Sequence, residues 1–350
     1  MRIDNDINRK NADGVILPIE MPKSSTYMVP AAEFALLQTT DSGKNYINNR
    51  YAQMYLFGNI LNQKSYDVGL TILTDPFDQN PCFKTTKIEL EHEFIISDQK
   101  TIIIQCLNEG TYYYSYRYMD EFYISDTKYY QKCCVLHMFL IYGYSLSEKS
   151  FYTLGYNRNG IFSKIRIRFD EFDESIKHLD KKEHRYIMLL NNNNNYMEKE
   201  CNLDLIKFWM DQYIKSKNSR IVQRGVNNEI AVTDNLIFGY RTYDYILLYL
   251  NYFIKNEAPF WEYDFRYSRQ LLEHKRIMHE RLTILCKNKL IKEDIVGQYN
   301  EIVECANIIH YLNIKFSLTK EHSIFVRILD NLVKIISKEK NILEEVLRLI

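Results

Sequence analysis

The chain has 350 residues, and 45 Lys+Arg balance 45 Asp+Glu, so a strongly basic nucleic-acid coat is not expected. Apolar residues make up 46%, enough for a sizeable core in one large domain or two smaller ones. Eleven glycines against 29 tyrosines disfavour architectures that depend on many tight turns or phosphate-cradling loops.

In chain order, Gly14 to Pro18 reads as a short strand and Pro22 to Ser25 as a turn. The apolar side chains of Met54, Tyr55, Phe57 and Leu61 fall at helical spacing, so the first helix is expected over Arg50 to Leu61, with Asn48-Asn49 able to cap it. Strands dominate from Asp67 to Phe169. They are expected at Gly69 to Leu73, Phe83 to Leu90, Glu93 to Ile96, Lys100 to Cys106, Tyr112 to Tyr118, Glu121 to Ile124, Cys134 to Tyr144, Ser150 to Gly155 and Ile161 to Ile167. Asp170 is a plausible N-cap for a helix opening at Phe169. Tyr186 to Leu190 is a short apolar piece, and Asn191 to Asn195 reads as a loop insertion. Helices are then expected at Leu203 to Ser216, Tyr240 to Ile254, Tyr267 to Cys286, Glu293 to Tyr311 and Lys320 to Leu349, the last broken near Lys338 to Lys340. There is no internal repeat. Strands segregated from helices argue for an α+β class, with an α+β domain over 1–180 and a mainly helical region over 200–350.

Several chemistries lose support at once. There is no GxxxxGK[ST], no GxGxxG, no HExxH, no GxSxG and no CxxC, so no nucleotide, metal or other cofactor is expected. His274 and His279 are five apart and fall on different helix faces, which reads as solvated histidines. Asp75 and Asp78 read as part of a turn. Seven scattered cysteines and an N-terminus without an apolar h-region lead to the expectation of a reducing, cytoplasmic protein with no membrane span.

The strongest local pattern is LHMFLIYGYSLSEKSFYTLGYNRNGIF, residues 136 to 162. His137 opens an apolar strand, the chain turns after Tyr144, and a second strand ends at Gly155-Tyr156-Asn157. A meander of that length can bring His137 and Asn157 to one rim of a sheet. A general base and its orienting partner need that geometry, because the partner fixes the imidazole tautomer. A rim histidine bonded to backbone is the structural alternative. Tyr112 to Tyr118 can line a groove, but half-buried sheet tyrosines are the simpler reading.

HMFLIYGY followed by FYTLGYNRNG and then IRFDEF, with DEFYI at 120 to 124, resembles the butirosin biosynthesis protein H-like family of papain-like proteins associated with natural-product biosynthesis. The likeness covers about residues 15 to 175. It implies a papain-like, cysteine-peptidase-type α+β domain. It also implies acyl transfer, or amide-bond formation or cleavage, on a carrier-bound acyl thioester or peptide-like substrate. The implied partners are an acyl or peptidyl carrier protein and a small amine or peptide-like substrate. His137 matches the family's catalytic histidine, and Asn157 sits where relatives often carry Asp. The nucleophile expected at the start of the first long helix has no counterpart in Asn48-Asn49-Arg50-Tyr51. Cys82, Ser42, Cys133 and Cys134 are the substitutes to weigh. Two readings follow: an acyltransferase or amidohydrolase with a non-standard or missing nucleophile, and a noncatalytic papain-like binding or scaffold protein.

Overall fold

The computed structural model describes residues 13–57, 69–89, 99–177, 186–219, 236–255 and 262–350. The architecture mixes helices with antiparallel sheets. The chain divides into two compact units, each made of two segments: residues 1–43 with 76–197, and residues 44–75 with 198–350. Residues 44–75 therefore belong with the helical C-terminal region.

The first unit is built on a seven-stranded sheet. Its path runs β4 (Phe83–Glu89), β9 (Tyr186–Asn192), β5 (Tyr112–Asp120), β6 (Leu136–Ser145), β7 (Ser150–Tyr156) and β8 (Phe162–Arg168), and β1 (Gly14–Ile16) pairs with the far end of β6. Alternation is clearest in β8, where Phe162, Ile165 and Ile167 are buried while Lys164, Arg166 and Arg168 are exposed. The central strand β6 is buried from Phe139 onward and only partly buried at its first three residues. Its start is thus a rim, and His137 sits on it. Tyr112, Tyr113 and Tyr114 are buried sheet residues. Asn191 and Asn192 complete β9 opposite Lys84 and Phe83, so the asparagine run is partly strand.

Helix α1 (Met28–Leu37) lies ahead of the first helix expected from the sequence. MVPAAEFALL is apolar nearly all round, and every residue but Val29 is buried, so no periodic stripe announces it. Pro30 falls in the first turn, where a missing N–H costs nothing. Helix α2 (Asp41–Arg50) follows, and the division between the units falls inside it. The expected helix over 50–61 is instead strand β2 (Met54–Phe57), paired with β3 (Gly69–Ile72).

The β-branched run at 100–106 is also not a strand. It forms α3 (Gln99–Asn108), which buries Ile103, Cys106 and Leu107 along one face. Gly110, at φ +81°, ends it, and the Thr111 N–H closes on the Cys106 carbonyl at 2.9 Å. The expected strand at 121–124 is a 3₁₀ turn over Glu121–Tyr123. The expected strand at 93–96 lies outside the described residues. Helix α4 (Phe169–Lys177) carries Asp170 in its first turn, but Glu171 does the capping: its carboxylate accepts the Arg168 N–H at 3.1 Å.

The second unit packs α5 (Leu203–Ile214), α6 (Thr242–Ile254), α7 (Arg266–Lys287), α8 (Glu293–Thr319) and α9 (Ile324–Leu349) with a small sheet of β10 (Ile237–Phe238), β2 and β3. Helix α9 runs unbroken through Lys338-Glu339-Lys340, because Glu339 is fully buried while the two lysines are exposed. Its carboxylate is the hub of the core. One oxygen accepts from Lys275 Nζ at 2.7 Å and Tyr299 at 2.6 Å, the other from Tyr243 at 2.6 Å and Tyr213 at 3.0 Å. Both oxygens are thus fully hydrogen-bonded, the condition under which a buried polar group is tolerated. His274, expected to be solvated, is completely buried: Nε2 donates to the Ala52 carbonyl at 2.7 Å and Nδ1 accepts from Lys275 at 3.0 Å. Arg281 is buried as well and caps the end of α2, its Nε donating to the Asn48 carbonyl at 2.5 Å.

Candidate active site

The site is assembled by β5, β6 and the segment between them. His137 stands opposite Met119 in the β5–β6 ladder, one residue in from the pair Asp120 and Leu136 that closes it. The chain then makes the 3₁₀ turn that begins at Glu121, and Asp120 caps it by accepting the Phe122 N–H at 3.0 Å. The same Asp120 oxygen accepts the Val135 N–H at 3.0 Å, and the Glu121 N–H reaches the Val135 carbonyl at 3.0 Å. These bonds tie the start of β6 to the end of β5.

This clasp aims Glu121 at the histidine. Glu121 Oε1 makes a short hydrogen bond to His137 Nδ1. Glu121 is wholly buried, whereas the His137 side chain keeps a quarter of its surface exposed. The second carboxylate oxygen, Oε2, is buried and has no hydrogen-bond partner among the described residues. The arrangement fixes the tautomer, with Nδ1–H directed at the carboxylate, and leaves Nε2 as the nitrogen that can exchange a proton with a bound molecule. The rings of Tyr129 and Tyr156 flank the imidazole with centroids at 6.1 and 6.4 Å.

Asn157 has a different task. Its Oδ1 accepts the backbone N–H groups of Asn159 at 3.0 Å and Ile161 at 3.1 Å, and its backbone bridges to Thr127. The partner of the imidazole is thus a glutamate from the preceding strand end, and the asparagine builds the turn beside it. Sequence spacing favours a partner one hairpin further on. The available signal was DEFYI, which places an acid immediately after a strand next to the histidine strand.

None of the substitute nucleophiles bonds to the ring. Ser42 donates to the Tyr196 carbonyl at 3.2 Å, and Cys82 is buried in the turn that leads into β4, where Asn80 holds its N–H. Cys133 and Cys134 are exposed. Asp120 accepts a hydrogen bond from the Cys134 thiol and pushes its pKa up, which opposes thiolate formation. Tyr156 donates to the carbonyls of Ser25, at 3.0 Å, and Thr26, at 2.5 Å, so the chain just before α1 is anchored beside the ring that flanks His137.

Among the described residues no group of His, Cys, Asp and Glu side chains is arranged to hold a metal ion, and no helix is long and apolar enough to cross a membrane. The second unit carries an open groove of about 550 Å³ beside Tyr240 and Arg241, but Asp211 pairs with Lys215 there and Glu344 with Lys340.

No family model matches the chain, and no curated protein matches it.

Proposed function

We propose that His137 is the general acid and base of a transfer reaction on an activated acyl group, in a papain-like setting where the usual cysteine is missing. The observation that carries this reading is the buried glutamate bonded to Nδ1 of a partly exposed histidine. A structural histidine needs no buried carboxylate behind it. A catalytic one gains a fixed tautomer and a negative charge that stabilises the imidazolium.

The substrates that fit are a carrier-bound acyl thioester or a peptide-like acyl donor and a small amine. His137 Nε2 accepts a proton from the amine as its nitrogen attacks the acyl carbon. The tetrahedral adduct then expels the thiolate, breaking the C–S bond, and the imidazolium returns the proton to sulfur. A thioester supplies a good leaving group, so the route requires no enzyme nucleophile. That suits a ring with no thiol or hydroxyl bonded to it among the described residues.

The test is aminolysis of an acyl-pantetheine thioester by a panel of amines. His137→Ala is expected to lower turnover by at least ~100-fold, the usual worth of a general base. Glu121→Gln is expected to lower kcat by ~10–100-fold with KM little changed, since the carboxylate acts through the imidazole. Full activity in His137→Ala would refute the reading. The second reading, a binding or scaffold protein, draws on the lack, among the described residues, of a nucleophile bonded to the ring. It is favoured if carrier or peptide binding persists in the absence of any turnover.

A further inference from the structure

The segment that joins β5 to β6 does more than hold Glu121. Thr127 pins it by donating to the carbonyls of Glu121 and Ile124, at 3.1 and 2.9 Å. Its backbone bridges to Asn157, so the segment lies against the turn 157–160. Two cationic residues lie at that turn, Arg158 within it and Lys128 against Gly160. The stem of Lys128 passes 3.3 Å from where a Cβ on Gly160 would lie, and Gly160 stands at φ +71°, so no side chain intrudes there. Arg158 is fastened through Nε to the Ser125 carbonyl at 2.5 Å, which leaves both terminal nitrogens of its guanidinium for another acceptor. Both residues are exposed.

The acids nearby are already committed. Asp120 and Glu121 are buried and bonded inward. Asp126 accepts the Arg166 N–H, Glu148 pairs with Arg166, and Asp170 and Glu171 pair with Arg168. Neither Lys128 nor Arg158 has a carboxylate partner among the described residues. Two exposed cations at one turn favour an anion bound there. The position is apt. The Lys128 ammonium lies 5.5 Å from the centroid of the Tyr129 ring, which in turn flanks His137. The Lys128 ammonium is therefore one aromatic ring away from the imidazole.

We propose that Lys128 and Arg158 bind an anionic group, phosphate or carboxylate, carried by the acyl donor. The inference rests on the reading of His137 only for the word donor; the binding itself is independent of turnover.

The experiment measures binding by calorimetry to three probes on one skeleton: neutral pantetheine, pantothenate with its carboxylate, and 4′-phosphopantetheine with its phosphate. The expected result is about tenfold tighter binding of at least one anionic probe, a preference that fades as salt is raised and is abolished in Lys128→Ala/Arg158→Ala. Lys128→Glu alone, which leaves the Arg158 anchor in place, is expected to reverse it. Preference for pantothenate alone identifies a carboxylate donor, and preference for phosphopantetheine alone a phosphorylated one. Equal affinity for all three, no measurable binding, or a preference that survives both variants overturns the proposal. His137→Ala should keep the preference intact, so loss of the catalytic reading and loss of this one are separately visible.

Discussion

At the scale of single residues, the second unit shows how burial alone changes what a histidine can do. Burial holds the His274 imidazole well below its ordinary pKa, and the neighbouring Lys275 charge adds to the effect. Folded His274 therefore stays neutral at pH values where the unfolded side chain takes up a proton. The stability it contributes is present above about pH 6.5, the unfolded value, and is lost as pH falls toward the lowered one. The expected slope from this group is ~1.4 kcal/mol per pH unit. Urea unfolding at pH 8, 6.5 and 5.5 checks it: His274→Asn should flatten the loss between 6.5 and 5.5, and an unchanged profile would assign the loss to other groups. His137 shows the opposite design, since its ring is partly open and backed by a carboxylate. In sequence His274 lies between Glu273 and Lys275 and His137 between Leu136 and Met138, so local polarity suggests the reverse of the burial found. The difference lies in partners 222 and 16 residues away.

Among the elements, legibility followed amphipathicity. Helices α7 and α9 bury clear stripes; the span of α7 is readable from spacing alone, whereas in α9 the charged Lys338-Glu339-Lys340 suggests a break that the buried Glu339 removes. Helix α1 is not readable in this way, because a segment buried on nearly every side shows no alternation of polar and apolar residues. The sequence of α3 suggests a strand because Ile102, Ile103 and Ile104 are β-branched, yet only Ile103 is buried. Tertiary packing of one face outweighed local preference. Its end depends on Gly110 in the left-handed region, where no neighbour restricts added volume. Gly110→Ala is thus a clean test of backbone strain, expected to cost ~1–2 kcal/mol without a steric clash. A thermal scan showing no fall in Tm would remove that account. The candidate site was half legible for the same kind of reason: a polar residue opening an apolar strand stands out, whereas its acidic partner belongs to a turn fixed by backbone bonds to Val135.

On the scale of the whole molecule, the interleaving of segments governs what can be cut. The second unit needs residues 44–75: strands β2 and β3 supply most of its sheet, His274 bonds to Ala52, and Arg281 bonds to Asn48. Residues 198–350 alone would keep a buried arginine and histidine with no acceptors, each orphaned group costing roughly 1–3 kcal/mol. That fragment is expected to show helix by circular dichroism but no cooperative urea transition. A sharp two-state transition would mean that the helices close their core unaided.

The same threading has a temporal side. Residues 44–75 leave the ribosome before the helices that cover them, which are encoded after residue 198. At ~5–20 residues per second, Ala52, Met54 and Leu56 wait on the order of ten seconds for their neighbours to be synthesised. During that interval an apolar strand with open edges is unprotected in the nascent chain. The order of the segments thus opens a window during translation in which these residues lack the neighbours that bury them.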